Sequence, residues 1–175
     1  MKKSLFFWQF VGFVFTGAMG TLLHFLYDWT EIRLVAPFSA VNESIWEHMK
    51  LLFFPMLIFA ILQNRYFVDD YPNFWCVKLV GALLALTTVP VLYYTYTGAL
   101  GVSADWFNIA IFFIAAAVCY LVETRLMQSD SCLGVSPLAA KALLGLIVAL
   151  FVAFTFSPPR IPLFQDPLTK LYGLG

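Results

Sequence analysis

Five apolar runs alternate with short polar breaks along the 175 residues of this chain. Each is about 20 residues long, the length an α-helix needs to cross roughly 30 Å of hydrocarbon. The runs cover residues 5–27, 45–63, 74–98, 104–127 and 137–157. They predict an all-α, polytopic transmembrane bundle of about five helices, a single integral membrane domain over residues 1–175. After residue 157 the pattern changes to Ser-Pro-Pro-Arg-Ile-Pro and then Phe-Gln-Asp-Pro. Proline density of this kind sets a stiff, extended path, while Ile161, Leu163 and Phe164 still need cover. The tail, residues 158–175, is therefore expected to fold back over one mouth of the bundle, carrying Arg160 and Asp166 towards His24 and Glu43.

Composition strengthens the membrane reading. Hydrophobic residues make up 62% of the chain and charged residues 11%, against about 25% charge in soluble domains; the mean hydropathy is +0.85. The net charge of zero, without a basic stripe, excludes nucleic acid as a partner and leaves the lipid bilayer. Lys2 and Lys3 before the first run resemble the start of a signal peptide, but the run continues through Leu22, Leu23, Phe25 and Leu26. That exceeds the usual apolar region of about 7–15 residues, so the first helix is expected to be retained. Six basic residues (Lys2, Lys3, Arg65, Lys78, Arg125, Lys141) fall on one face and four (Arg33, Lys50, Arg160, Lys170) on the other. The excess predicts a cell-membrane protein with a cytoplasmic N-terminus and an outer C-terminus. Cys76, Cys119 and Cys132 show no metal-type spacing and are expected as free thiols, Cys119 buried.

Two polar clusters interrupt the pattern where hydrocarbon ends, and they hold both histidines. Ionisable groups at such positions lose hydration unless they are paired or face a wet cavity. In the first run Gly17, Gly20, His24 and Asp28 follow steps of three, four and four, which places them on one helical face. Small residues admit a neighbouring helix, and the i to i+4 spacing suits an Asp orienting a His. Plain helix packing with a satisfied histidine accounts for the same spacing.

The second run opens with Asn42-Glu43-Ser44-Ile45-Trp46-Glu47-His48-Met49-Lys50. Ser44 and Glu47 match a capping box, with Asn42 as an alternative cap. Capping does not call for Glu43, His48 and Lys50 as well. A neutral imidazole beside carboxylates is what a metal ligand or a general base requires; the plain alternative is an interfacial Glu47–Lys50 ion pair with His48 exposed. Further along, Ser103 is a candidate cap for Asp105 and Asn108, Pro90 should kink the third helix near tyrosines 93, 94 and 96, and Glu123 and Arg125 read as flanking charges.

The segments Gly20-Thr21-Leu22-Leu23-His24-Phe25-Leu26-Tyr27-Asp28-Trp29 and Val41-Asn42-Glu43-Ser44-Ile45-Trp46-Glu47-His48-Met49-Lys50, with the Pro-Pro to Phe-Gln-Asp-Pro tail, resemble a family of small bacterial integral membrane proteins of unknown function. The resemblance implies that these residues form one shared module. A looser similarity is to membrane-embedded metal-dependent hydrolases of the alkaline ceramidase group, whose sites combine Ser, Asp and several His with zinc; two histidines and five helices depart from that pattern.

The residues thus predict a pocket at one membrane face. Its metal ligands are His24, His48 and Glu43, its catalytic carboxylates Glu43, Glu47 and Asp28, and its further lining Asn42, Ser44, Lys50 and Asp166. Three functions suit it. Proton- or cation-linked transport of a small solute would use His24 and Asp28. A zinc hydrolase would act on a lipid-like substrate through metal-bound water. A non-catalytic accessory protein would use the cluster only to lock the first two helices together.

Overall fold

The computed structural model describes residues 4–129 and 132–174. Five helices, α1 (Leu5–Thr30), α2 (Ile45–Phe67), α3 (Phe74–Leu100), α4 (Asp105–Gln128) and α5 (Pro137–Phe156), are followed by a 3-10 turn at Pro162–Phe164. All five are long and apolar enough to cross a membrane, and no strand occurs among the described residues. The expected class is therefore the observed one. The starts lie within one residue of expectation, and the C-terminal ends of α1 to α4 move outward by one to four residues. Ser4 and Ser136 accept from the amides of Phe7 and Ala139, and α1 closes at Glu31 in the left-handed region, where its amide donates to the Tyr27 carbonyl. α3 runs on through Pro90 to Leu100. Ser103 does not cap α4; its hydroxyl accepts from Asn108 and meets the Tyr96 hydroxyl at 3.1 Å, so it joins the end of α3 to the start of α4.

α2 and α3 form the centre, with α1 and α4 packed together on one side and α5 against α3. Exposed Phe6, Phe10 and Val14 on α1, and Leu138, Leu143 and Leu146 on α5, leave the outer surface apolar. Glycines set how closely α1 approaches its neighbours. A Cβ on Gly20 would meet the Phe112 ring at 2.6 Å and the Leu51 carbonyl oxygen at 2.8 Å; one on Gly12 would meet Phe59 and Tyr120.

Each end of the bundle buries charge. Near the N-terminal end, Lys78 Nζ pairs with Glu123 Oε2 at 2.5 Å, both almost fully buried. Gln9 Nε2 donates to the same carboxylate at 3.0 Å, and Gln63 Nε2 donates to Gln9 Oε1. Glu123 is therefore an internal anchor joining four helices, not a flanking charge. Sequence could not separate the two because its position one turn from a helix end suits either. The cysteines also differ from expectation. Cys76 at the start of α3 is bonded to Cys132 ahead of α5, and only Cys119 is free, buried as expected. A bridge across 56 residues depends on how the α4–α5 connection returns over α3, which spacing does not encode.

Gly20→Ala should cost about 1–3 kcal/mol, because the Leu51 carbonyl cannot move aside as a side-chain tip can. Gly145→Ala, with open space around it, should be neutral or stabilising by up to about 1 kcal/mol. Unfolding of both variants in detergent checks the contrast.

Candidate metal centre

Why the ends of α1 and α2 meet is decided by the segment between them. The Ser39 hydroxyl donates to the Leu23 carbonyl at 2.5 Å and accepts from the Tyr27 amide at 2.9 Å, inserting into the hydrogen-bond ladder of α1. The Ala40 amide adds a second donor to Leu23. This holds the 31–44 segment against the turn that carries His24.

The start of α2 holds the same segment from the other side. Ser44 Oγ accepts from the Glu47 amide, the first half of the predicted capping box. The second half is replaced: Glu47 Oε2 accepts from the Val41 amide at 3.1 Å, and the Ser44 amide donates to Asn42 Oδ1. Glu47 is buried and paired at 2.5 Å with Lys50, whose ammonium also donates to the Ala36 carbonyl and to Thr155 Oγ1. The ion pair foreseen between Glu47 and Lys50 exists, but inside the protein, where both are fully engaged in holding the loop. Asn42 Nδ2 donates to the Gly173 carbonyl and so fastens the tail.

Three side chains converge within this frame. Glu43 Oε2 lies 3.4 Å from His48 Nε2, and Glu43 Oε1 lies 4.0 Å from His24 Nε2. The two rings meet edge to face with centroids 5.4 Å apart. One ligand atom from each of the three residues lies within 4.8 Å of the others. Ligand atoms on a tetrahedral zinc, with bonds of about 2.0–2.1 Å, are about 3.3 Å apart, so side-chain rotations of about an ångström close the set.

The hydrogen bonding of His48 is informative. Its Nδ1 lies 2.9 Å from the Ser44 carbonyl, a group that only accepts, so Nδ1 carries the proton. In the neutral ring the Nε2 lone pair then points at a carboxylate oxygen. Two electron-rich atoms at 3.4 Å call for a cation between them, a proton or a metal ion. A backbone carbonyl behind the far ring nitrogen is also the usual support of a metal-bound histidine. His24 lacks such a partner: its Nδ1 is buried without one.

The group borders a cavity of about 780 Å³ between α1, α2, α3 and α4, within the usual range for small-molecule pockets of about 300–1,000 Å³. Gly20, Leu51, Val89 and Phe112 form an apolar floor. Tyr93, Ser103, Asp105 and Asn108 stand on the α3–α4 side; the last two are wall residues, a role that their pattern as a helix start concealed. The tail does fold back. Phe164 is buried against Trp46 and Phe154, and Pro167 and Leu168 line the cavity. Asp166 reaches the Glu43 backbone and the amides of Leu168 and Thr169. Burial pushes the Asp166 carboxyl up, but these donors outweigh it and hold it below its usual value.

Of the residues expected at the pocket, His24, Glu43 and His48 are brought together. Asn42, Ser44, Glu47, Lys50 and Asp166 form the scaffold behind them. Asp28 is not brought in: it is exposed at the last turn of α1 and does not line the cavity. Arg160 is also exposed, away from the cavity lining. Ser39 was missed, since a serine in a loop carries no sign of the carbonyl it will find.

Fold and site together define a five-helix protein of membrane-crossing helix length with a His–Glu–His cluster beside a cavity at one end. The family of unknown function DUF6512 matches residues 2–174, and the chain belongs to that family. No curated protein and no solved structure matches it.

Lys50→Met should leave Glu47 as an unpaired buried carboxylate and destabilise the protein by about 3–5 kcal/mol. Glu43→Gln, on a partly exposed side chain, should change stability by less than about 1 kcal/mol. Equilibrium unfolding in detergent compares the two; equal effects would remove Lys50 from its role as anchor.

Proposed function

We propose that the chain is a multi-pass membrane protein in which His24, His48 and Glu43 hold a divalent metal ion, zinc by the chemistry of its ligands, and that it acts as a metal-dependent hydrolase. The observation that carries this reading is His48 Nε2 facing Glu43 Oε2 at 3.4 Å, with the opposite ring nitrogen already committed to the Ser44 carbonyl. Two imidazoles and one carboxylate leave a fourth position for water, whose pKa zinc lowers to about 7. Glu47 is occupied by Lys50, and Asp28 lies outside the cavity. Apart from Glu43, Asp105 is the carboxylate that lines the cavity among the described residues. Asp28 is exposed and does not line the cavity, so its position lends no support to a His24–Asp28 relay for transport.

Purified protein should carry about one zinc per chain. His48→Ala and His24→Ala should each weaken binding by more than the roughly 10–100-fold that loss of an outer-shell partner costs, while thermal stability in detergent stays close to that of metal-free wild type. Zinc content by mass spectrometry decides it: no stoichiometric metal, or metal indifferent to both substitutions, overturns the assignment.

The disulfide bears on orientation. Cys76 and Cys132 lie at the face opposite the centre, and such bonds persist in oxidising compartments. Of the ten basic residues behind the charge bias, Lys50 and Lys78 are buried in ion pairs, which leaves five against three, a weak excess. We therefore place the N-terminal face outside and the metal centre towards the cytoplasm, reversing the orientation expected from charge. A green fluorescent protein fused to the C-terminus should fluoresce, and Cys76 and Cys132 should resist alkylation until reduced. A dark fusion with freely alkylated cysteines restores the opposite orientation.

A further inference from the structure

The cavity has a floor, a partial roof and a side without a wall. Its roof is the tail, which is pinned where Asn42 holds the Gly173 carbonyl, where Asp166 meets the Glu43 backbone, and where Phe164 is buried on Trp46. The side lies between α1 and α4. These helices touch from Gln9 and Glu123 through Thr16 and Tyr120, whose hydroxyls are 2.8 Å apart, to Gly20 and Phe112. Beyond Gly20, α1 turns its hydrogen bonding to the 31–44 segment instead, through Leu23 and Tyr27. There the cavity separates it from α4. Thr21 and Phe25 on α1, and Ile109 and Phe113 on α4, line the cavity and are at the same time exposed on the outer surface. A residue that does both marks an opening.

The opening runs along the helices and continues at their ends, where Ser103, Asp105, Pro167 and Leu168 also line the cavity and are exposed. At a rise of about 1.5 Å per residue, Gly20 is about 15 Å inside the end of α1. In a bilayer a slit starting at that depth faces acyl chains. The chemistry is graded in the same direction: the His24, Glu43 and His48 group and Asp105 at the outer end, Leu51, Val89 and Phe112 at the floor. A wholly polar solute would lose hydration against that floor with nothing to replace it. A molecule with a polar head and an apolar chain matches both ends.

We propose that the ligand of this cavity is a membrane lipid, which enters sideways between α1 and α4 with its acyl chain over Val89 and Leu51 and its headgroup at the His24–Glu43–His48 centre. The position of the headgroup rests on the metal-centre reading; the path of the chain does not.

The test uses the full chain in nanodiscs of phosphatidylcholine that include a fraction carrying a diazirine on one acyl chain. After irradiation, adducts are mapped by mass spectrometry and zinc is counted in the same sample. Adducts are expected on the segments of Thr21 and Ile109 and on buried Val89 and Leu51, as well as on the outward belt at Val14 and Leu146. Ile109→Trp, which fills the slit, should lower the Val89 and Leu51 adducts about tenfold and leave belt adducts and zinc content unchanged. Adducts confined to the belt, or floor adducts indifferent to Ile109→Trp, overturn the lipid inference even when zinc is present. Floor adducts in a protein that binds no zinc uphold the lipid path and overturn the metal assignment.

Discussion

An ammonium group sealed from water ties the site together. Lys50 contacts Glu47 on its own helix, the Ala36 carbonyl in the 31–44 segment and Thr155 on α5. A buried charge is tolerated only when its counter-ion and hydrogen bonds are all in place, so the three elements cannot drift apart separately. Glu47 passes the constraint on by accepting from the Val41 amide, two residues before Glu43. The carboxylate proposed as a metal ligand is thus held by a pair that takes no part in the chemistry.

The opposite end repeats the device with different residues. Lys78, Glu123, Gln9 and Gln63 join α3, α4, α1 and α2, and the glycines of α1 let the helices close between the two ends. α1 and α4 are therefore tight at the Glu123 end and part beyond Gly20. That divergence produces the cavity. It also explains why the Gly17, Gly20 and His24 stripe serves two purposes: its lower part is ordinary close packing, and only its last turn faces open space.

Membrane-length helices, their number and the location of both histidines at one end of the bundle were legible in the order of the residues, because hydropathy over about 20 residues depends on composition alone. The grouping of His24, Glu43 and His48 was legible in part, since polar residues at the border of apolar runs have few places to go. Asp28 was misleading for a physical reason: i to i+4 spacing sets the angle around a helix, but the last turn of α1 projects beyond the packed bundle. Glu123 and Lys78 misled in the opposite direction. Their distance from a helix end suits an interfacial charge, and only the helices closing around them show that they are internal.

What the sequence determined by itself is the set of local decisions: five long apolar helices, the Ser44 cap, and a tail too apolar to remain free. These follow from hydropathy and backbone hydrogen bonding over a few residues. The tertiary structure alone decided which buried charges pair, that Cys76 meets Cys132, that Ser39 enters the ladder of α1, and that a slit separates α1 from α4. Each of these joins residues distant along the chain, and no local rule fixes the direction in which one helix approaches another.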